Sequence, residues 1–274
     1  MTTIAAALAA ARAKLPASEA RLLLGHVLQQ SAAWLIGHDD QLLAEPEMLA
    51  FASLVARRAG GEPVAYLVGY REFFGREFEV STSVLIPRPE TELLVEIALA
   101  KVGAGAAARI LDLGTGSGCI AITLALEIPR AQVTAVDASA AALQLAGKNA
   151  ERFGAQVRLL QSDWYSALAG ECFDLIVANP PYIAAADPHL AAGDLRHEPP
   201  SALASGADGL DALCRIVAEA PAHLASGGRL WLEHGYDQGE AVRELLLQAG
   251  FVDIEQRRDL AGIMRASGGR LSSR

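Results

Sequence analysis

The sequence contains few cysteines and lacks both a long hydrophobic run and a signal-peptide pattern. Its three cysteines, Cys119, Cys172 and Cys214, do not have the paired spacing of a disulfide framework or a zinc site, so no metal is expected. Cys119 is expected to be a small buried apolar residue. No apolar run approaches the ~18 residues that a membrane-spanning helix needs. The N-terminus has neither a basic segment nor an apolar core, so we expect a cytoplasmic protein that does not contact membranes.

Basic residues are also under-represented. Lysine and arginine total 23 against 32 acidic residues, which gives a formal net charge of −9. Binding to a nucleic-acid backbone requires a basic surface, so we expect no direct contact with nucleic acid. The hydrophobic fraction of 52% is sufficient for a packed core. A protein or a small molecule is therefore the expected partner.

The first 60 or so residues carry apolar side chains at helical spacing and predict two to five short helices. One of them, at 46–58, has a proline in its first turn and arginines at its end, as the helix dipole favours. The run Gly60-Gly61-Glu62-Pro63 ends the helical pattern. After it, Phe78, Val80, Thr82 and Val84 alternate with more polar residues, which is typical of a strand or a hairpin.

Strands and helices alternate from about residue 108 onward. This order predicts an α/β fold in which helices cover both faces of a mostly parallel sheet. The glycine-rich end, residues 268–274, is expected to be frayed. The predicted strands are 108–113, 132–137, 157–161, 173–178, 229–233 and 252–256, and the predicted helices are 90–101, 118–128, 140–153, 209–224 and 238–249.

A glycine-rich loop, Asp112-Leu113-Gly114-Thr115-Gly116-Ser117-Gly118, follows the first of these strands. Its glycines allow the backbone to approach a ligand closely, and it opens a helix whose free N–H groups suit a polar group. The spacing Gly-x-Gly-x-Gly, with Asp112 just ahead, favours a ligand amine over the pyrophosphate of a dinucleotide. S-adenosylmethionine carries such an amine. The predicted contacts are Asp112, Gly114, Thr115, Gly116, Ser117 and Gly118.

Two further acidic residues follow the next two strands, at positions where nucleotide ligands bind in open α/β sheets. Asp137 is predicted to accept from both ribose hydroxyls, although it could instead cap the helix that starts near Ser139. Asp163 is predicted to lie near the adenine amine and Trp164 against its ring. Trp164 as an ordinary core residue is the alternative.

The run Asn179-Pro180-Pro181-Tyr182 follows the fourth strand. Its prolines restrict the backbone, so that the Asn179 side-chain oxygen and the Pro180 carbonyl can converge on one NH2 group. Tyr182 offers a flat face to a planar amide or base. Positioning that nitrogen in line with a sulfonium methyl lowers the barrier to methyl transfer. We therefore predict Asn179, Pro180 and Tyr182 as catalytic, and all four residues as substrate-binding.

The connection 183–208 is longer than an ordinary loop. Such segments are usually functional or disordered. Because it directly follows the Asn-Pro-Pro-Tyr run, we interpret it as a lid that covers the substrate.

On these motifs the chain resembles the release-factor glutamine N5-methyltransferase family of class I S-adenosylmethionine-dependent enzymes. The resemblance rests on Tyr66-Leu67-x-Gly69 with Glu72-Phe73, on Leu85-Ile86-Pro87-Arg88-Pro89-Glu90-Thr91-Glu92, on 111–118, on 179–182 and on Glu233-His234-Gly235. It implies a Rossmann-like, seven-stranded, mostly parallel sheet with a small all-helical N-terminal domain and a β-hairpin linker. The expected limits are 1–72, 73–88 and 89–274.

The resemblance also implies a reaction and its partners. The family methylates the glutamine of the Gly-Gly-Gln loop in bacterial class 1 peptide-chain release factors. It implies that 114–118, Asp137, Trp164 and Asn179 contact the cofactor and that 179–182 hold the glutamine amide. The helical domain would grip the release factor away from the reacting loop, and a monomer is expected. Residues 260–265 match only loosely, so no site is placed there, and the roles of Arg88 and Glu90 stay open.

Four other functions compete with this interpretation. An adenine-N6 DNA methyltransferase could use the same loop on a flipped base, but the net charge argues against it. A ribosomal-protein glutamine methyltransferase is disfavoured by the run from Ile86 to Glu92. A non-catalytic cofactor-binding adaptor would not need the Asn-Pro-Pro-Tyr run. A dehydrogenase is disfavoured by Asp112.

Overall fold

Two units, residues 1–70 and 71–274, make up the chain in the computed structural model, which describes residues 2–103 and 105–272. In its described residues the first unit contains five α-helices, which confirms the predicted helical pattern. They are α1 (Ile4–Ala11), α2 (Ala17–Leu28), α3 (Ala32–Gly37), α4 (Glu45–Ala59) and α5 (Val64–Val68).

The helices of the first unit close on an apolar core of their own. Ile4, Leu23, Leu24 and Leu35 are all fully or almost fully buried in it. Side chains also satisfy free N–H groups at the helix starts. The Ser31 hydroxyl, for example, accepts a hydrogen bond of 3.1 Å from the Trp34 N–H at the start of α3. The unit is therefore specified by its own sequence pattern.

The second unit is built on a seven-stranded sheet. Its spatial order is β5-β4-β3-β6-β7-β9-β8, and every neighbouring pair is parallel except those made by β9. The predicted seven-stranded, mostly parallel sheet is thus confirmed. The strands are β3 (Arg109–Leu113), β4 (Gln132–Asp137), β5 (Val157–Gln161), β6 (Phe173–Ala178), β7 (Leu224–Glu233), β8 (Phe251–Arg258) and β9 (Met264–Leu271).

Helices cover both faces of this sheet. Side chains at alternate positions along β3 and β6 enter opposite cores: Ile110 and Val177 enter one, Leu111 and Ile176 the other. Burial on both faces explains why these strands read as continuous apolar runs. The helices are α6 (Glu92–Val102), α7 (Cys119–Glu127), α8 (Ala140–Phe153), α9 (Asp211–Glu219) and α10 (Gly239–Gln248).

A two-stranded hairpin, β1 (Tyr70–Phe73) and β2 (Arg76–Glu79), precedes the sheet. The predicted hairpin is therefore confirmed, although its second strand ends at Glu79 rather than continuing towards Val84. The reason is the buried Asn149 of α8, whose amide takes both backbone groups of Glu79, accepting from its N–H at 2.8 Å and donating to its carbonyl at 3.0 Å. The same amide donates to the Ser117 carbonyl at 2.9 Å. The hairpin is thereby attached to the glycine loop.

The expectation of a frayed chain end was wrong for residues 268–271, while residues 273 and 274 lie outside the described part. Residues 264–271 form β9, which lies between β7 and β8. Gly268 faces the fully buried Trp231 across the β7–β9 pair, and a Cβ there would overlap the Trp231 ring and the Leu230 carbonyl. Glycine in a strand commonly marks such a close approach.

Two smaller differences concern the segment before β7. The helix predicted at 209–224 ends at Glu219 and is followed by a short 3-10 turn, Ala220–Ala222. Strand β7 then begins at Leu224 rather than at 229. Separately, among the residues described, no helix combines the length and the hydrophobicity needed to cross a bilayer.

We expect Gly268→Ala to destabilise the protein, because its methyl group would overlap the Trp231 ring. Overpacking of this kind costs about 1–3 kcal/mol. Gly147→Ala, within α8, is the matched control: its Cβ would meet Leu159 at an ordinary 3.7 Å, and a helical alanine is favoured over glycine by about 1 kcal/mol. Urea unfolding followed by circular dichroism should shift in opposite directions for the two variants. An unchanged midpoint for Gly268→Ala would contradict the packing argument.

Candidate active site

A cavity of about 400 Å³ lies at the carboxyl ends of β3, β4 and β6. It belongs to the second unit, and it brings together predicted residues from four separate stretches of sequence. They line it as follows: Gly114, Thr115, Gly116, Ser117, Asp137, Asp163, Trp164, Asn179 and Pro181. The cavity is therefore formed by loops that follow neighbouring strands of the sheet.

The glycine loop turns at three positions with positive φ: 71° at Gly114, 55° at Gly116 and 83° at Gly118. L-residues with side chains rarely adopt this conformation. Gly114 and Gly116 line the cavity, whereas Gly118 does not. A Cβ on Gly118 would come within 2.7 Å of Ile122 and 3.1 Å of Ala146. Gly118 therefore permits close packing between the loop and the helices behind it.

Asp112 lies behind the glycine loop and does not line the cavity. It is fully buried; the Thr115 hydroxyl donates to its Oδ2 at 2.6 Å, and its Oδ1 has no partner among the described residues. Burial raises the pKa of Asp112 to about 7, although the hydrogen bond from Thr115 opposes the rise. Asp112 thus supports the loop through Thr115, and its predicted contact with a ligand amine stays a prediction.

Asp137 connects the glycine loop to the start of α8. Its Oδ2 accepts from the Gly116 N–H at 2.9 Å, and its Oδ1 accepts from the Ser139 N–H at 2.8 Å. The helix cap is Ser139, whose hydroxyl accepts from the Ala142 N–H at 3.2 Å. Each carboxylate oxygen of Asp137 has further lone-pair capacity. The carboxylate can therefore accept from a ligand while it holds the loop.

Asp163 and Trp164 form another wall of the cavity. The Asp163 side chain is 62% exposed and pairs with Arg215, whose Nη1 donates to both carboxylate oxygens at 2.8 and 2.9 Å. Trp164 has a φ of 50°, and a Cβ added to Gly114 would lie 3.4 Å from its ring. Positive φ is uncommon for a bulky residue, and such outliers gather at functional sites. The indole is held next to the glycine loop.

Asn179 stands between the large cavity and a smaller one of about 60 Å³. Its Nδ2 donates to the Thr91 hydroxyl at 3.0 Å. Pro180 and Tyr182 line only the smaller cavity and Pro181 only the larger. The walls of the smaller cavity are Leu85, Arg88, Asn179, Pro180, Tyr182, Ile183, Leu195, Ala202 and Leu203.

A fully buried carboxylate, Glu233, lies behind this loop at the end of β7. The Tyr182 hydroxyl donates to its Oε1 at 3.2 Å. Burial raises the pKa of Glu233 to about 7, and the nearby Thr91 and Tyr182 side chains oppose that rise. Burial also raises the pKa of Tyr182, and the nearby Glu233 raises it further. The phenol is therefore a hydrogen-bond donor at neutral pH.

The segment 183–208 closes on itself beside both cavities. Ile183 exchanges two backbone hydrogen bonds of 2.9 Å near the far end of the segment, donating to Leu203 and accepting from Ser205. The buried Glu198 accepts from the Ile86 N–H at 3.0 Å and forms an ion pair with Arg88. Pro199, Ser201 and Ala202 line the larger cavity. The segment therefore lies beside both cavities, and its action as a lid stays a prediction.

The motifs did not predict Thr91, Glu233 or Glu198 as residues of the site, and they assigned no role to Arg88. Thr91 and Glu233 lie in runs that carried the family resemblance, but no local spacing connects them to Asn179 or Tyr182. The hydrogen bonds from Asn179 to Thr91 and from Tyr182 to Glu233 span 88 and 51 positions of the sequence. In the part of the chain that the structure describes, no three His, Cys, Asp or Glu side chains are grouped as metal ligands.

Asp112 is expected to make stability depend on pH. Its pKa is about 7 in the folded protein and 3.8 in an unperturbed chain. Between these values the folded state binds more protons than the unfolded state, so the free energy of unfolding falls as pH rises. The loss is at most about 4 kcal/mol. The free energy of unfolding is measured at about pH 5 and about pH 8. Its decrease between these two values should be smaller for Asp112→Asn than for the wild type.

The control for this experiment is Asp40→Asn, at an exposed position of the first unit. It should leave the wild-type pH dependence unchanged. If the free energy of unfolding of Asp112→Asn decreased as much as that of the wild type, Asp112 would not be the source of the pH dependence.

Comparisons with known proteins agree with this geometry. The sequence model of the PrmC N-terminal domain matches residues 1–69, and that of the Methyltransferase small domain matches residues 89–208. Among solved structures, a methyltransferase from Pyrococcus furiosus is similar in fold, with a TM-score of 0.56 and 20% identity; the match covers 81% of this chain and 99% of that one.

Curated relatives match almost the full length of the chain. The release factor glutamine methyltransferase of Bordetella pertussis is 57% identical over 94% of this chain and 96% of its own length. That of Burkholderia pseudomallei is 54% identical over 94% of this chain and 93% of its own length. The family predicted from the motifs is thereby confirmed: the chain belongs to the release factor glutamine methyltransferases.

Proposed function

We propose that this protein transfers the methyl group of S-adenosylmethionine to the side-chain amide N5 of the glutamine in the Gly-Gly-Gln motif of class 1 peptide-chain release factors. One observation carries the proposal: Asn179 stands on the wall that the larger and the smaller cavity share. A cofactor in one cavity and an amide in the other would meet at this residue. Relatives that share 57% and 54% identity and bear this name support the substrate.

The larger cavity suits S-adenosylmethionine in size and chemistry. Its volume of about 400 Å³ is in the range of small-molecule sites. Asp137 offers a carboxylate to the ribose hydroxyls, and the Trp164 indole offers a flat apolar surface to the adenine, with Asp163 at the rim. The glycine loop, from Gly114 to Gly118, brings backbone close to the amino-acid end. When bound, the cofactor supplies an electrophilic methyl group on a sulfonium.

The smaller cavity suits the glutamine side chain. Asn179 Oδ1 and the Pro180 carbonyl accept from the substrate NH2, and the Tyr182 ring flanks the amide plane. An amide nitrogen is a poor nucleophile because its lone pair is delocalised. Two acceptors placed out of the amide plane favour a more tetrahedral nitrogen and direct it towards the methyl group. The nitrogen can lose its proton after methyl transfer, so no strong base is needed beforehand.

Five further expectations belong to this proposal. The domain limits are taken as 1–72, 73–88 and 89–274, and the helical N-terminal domain is assigned to recognition of the release factor. The protein is proposed to act as a monomer in the cytoplasm, where translation terminates. No direct binding to nucleic acid is proposed, because the net charge is −9.

Asn179→Ala should lower the rate of methyl transfer by at least about 100-fold, since it removes an acceptor aimed at the reacting nitrogen. Labelled S-adenosylmethionine is offered with release factor, ribosomal protein and DNA side by side, and the label is located by mass. Wild-type protein should add one methyl to the Gly-Gly-Gln glutamine. Circular dichroism checks that the variant is folded.

Other outcomes of this assay would replace the proposal. Label on adenine, or on a ribosomal-protein glutamine, would change the substrate. An absence of label despite bound cofactor would point to a non-catalytic adaptor. A wild-type rate in Asn179→Ala would remove the amide from the mechanism.

Asp137→Ala should weaken binding of S-adenosylmethionine by about 10- to 100-fold, because hydrogen bonds to a charged acceptor are lost. Asp137→Asn keeps one oxygen that can accept from the loop, so it separates contact with the ligand from support of the loop. This variant should also bind S-adenosylmethionine more weakly. Asp174→Ala, at the amino end of β6, is the control and should bind like the wild type. Calorimetry gives the affinities. Unchanged affinity in both Asp137 variants would move the ribose site elsewhere.

A further inference from the structure

We propose that Gln238 is a positioning residue, which fixes the Asn-Pro-Pro-Tyr run through the backbone carbonyl of Tyr182. The inference rests on the proposed function, because it explains how that run is held in the geometry that an amide substrate requires. Gln238 directly precedes α10 and has only 9% of its surface exposed. It lines neither of the two cavities, so it acts on the reaction through Tyr182.

The side-chain amide of Gln238 is bonded at both of its ends. Its Nε2 donates to the Tyr182 carbonyl at 2.9 Å and to the Asp208 carbonyl at a longer 3.4 Å. Its Oε1 accepts from the Gly235 N–H at 2.8 Å. Backbone carbonyls only accept and backbone N–H groups only donate, so a half-turn of the amide would place like groups against each other. The three partners therefore fix its orientation.

A tight turn holds this amide in place. The Gln238 N–H donates to the Gly235 carbonyl at 3.1 Å, which closes the turn. The same carbonyl accepts from Nδ1 of His234 at 2.8 Å. His234 is fully buried, and its Nε2 lies 2.8 Å from the Ser267 hydroxyl of β9. Through these contacts the turn, and with it the Gln238 side chain, is attached to the sheet.

The prolines of the Asn-Pro-Pro-Tyr run make an outside donor necessary. Proline has no N–H group, so the backbone cannot donate from the middle of the run. The run starts from a fixed point, because Ala178, just ahead of it, is paired with both neighbouring strands. At its other end, the Tyr182 carbonyl offers an acceptor. Gln238 supplies the donor and thereby provides the second anchor.

The run between these two anchors is stiff. The proline rings fix φ at two of its four positions, and they also restrict the residue before each proline. A displacement of the Tyr182 carbonyl is therefore passed on to the Pro180 carbonyl, which is one of the two acceptors proposed for the substrate NH2. Gln238 thus controls where that acceptor lies, although it belongs to another element.

The chain passes very close to this contact just after the segment 183–208. Gly209 has a φ of 82°, and a Cβ there would lie 2.2 Å from the Tyr182 carbonyl oxygen and 2.7 Å from Gln238 Nε2. Any side chain at this position would push into the hydrogen bond, whereas glycine leaves room for it. The Asp208 carbonyl, one residue earlier, accepts from the same Nε2. One amide therefore binds the chain on both sides of the segment.

The test is Gln238→Glu, which keeps the shape of the side chain and replaces the Nε2 donor with an oxygen. An ionised carboxylate can only accept, so it opposes the Tyr182 carbonyl. We expect kcat on release factor to fall by about 10- to 100-fold, because the acceptors are no longer held in line with the methyl group. The KM for release factor and the affinity for S-adenosylmethionine should stay within about two-fold.

The same variant has a pH profile that distinguishes a lost donor from other damage. A protonated glutamic acid carries a hydroxyl that can donate to Tyr182 and a carbonyl that can accept from Gly235. Burial and the facing carbonyls should raise the pKa of a glutamate at this position. The ratio of variant to wild-type kcat should therefore rise as the pH is lowered from about 8.5 to about 6. A constant ratio would overturn the donor role, and circular dichroism at each pH checks folding.

Gln248→Glu provides the matched control. Gln248 is exposed at the other end of α10, so this variant adds the same charge to the same helix. It should keep the wild-type kcat throughout the pH range. Gln238→Met, which has neither a donor nor a charge, serves if Gln238→Glu does not fold, and it should lower kcat at every pH. A wild-type kcat in Gln238→Met would overturn the proposal.

The contact can also be read without any substrate. Tyr182-Ile183 is the one Tyr-Ile pair in the sequence, so labelling with 13C-carbonyl tyrosine and 15N-isoleucine gives a single NMR correlation for the Tyr182 carbonyl. Its 13C frequency depends on hydrogen bonding and should shift in Gln238→Met but not in Gln248→Glu. An unmoved signal in Gln238→Met would overturn the proposal. If the wild type fails to methylate release factor, the proposed function fails, and this measurement still decides the positioning role.

Discussion

The site depends on the parallel pairing of β3 with β6. Leu113 is opposite Ala178 in that pair, so the glycine loop and the Asn179 loop leave the sheet side by side. The direction of strand order changes at this point, with β4 and β5 on one side and β7 on the other. Ligands in open α/β sheets bind at such switch points. Pairing of Ala178 with Leu232 repeats the arrangement one strand further and brings Glu233 beside Asn179.

Two buried carboxylates support the two loops in the same way. Asp112 accepts a hydrogen bond from the Thr115 hydroxyl of the glycine loop, and Glu233 accepts one from the Tyr182 hydroxyl. Burial raises the pKa of both to about 7, so their ionised forms are costly to keep. In their ionised forms both groups can only accept hydrogen bonds, and each accepts one from a hydroxyl of the loop in front of it.

Local patterns were enough to predict the strands 132–137, 157–161 and 173–178 and the helix 140–153, whose limits agree with β4, β5, β6 and α8. The motifs also predicted nine of the residues that line the larger cavity. Strand β9 could not be predicted, because its glycines are explained only by the Trp231 ring on the neighbouring strand. Thr91 and Glu233 could not be predicted for a related reason: no local spacing connects them to Asn179 or Tyr182, and only the fold brings these pairs within hydrogen-bond distance.

The stiff run from Ile86 to Thr91 connects the 183–208 segment with the Asn-Pro-Pro-Tyr run. At one end, Glu198 of the 183–208 segment binds the Ile86 N–H and the Arg88 side chain. At the other end, Thr91 accepts from Asn179. Prolines at positions 87 and 89 restrict the backbone between them, so the two contacts are held at a nearly fixed separation. One short segment therefore contacts both the 183–208 segment and the Asn179 amide, which gives a physical reason for its two prolines.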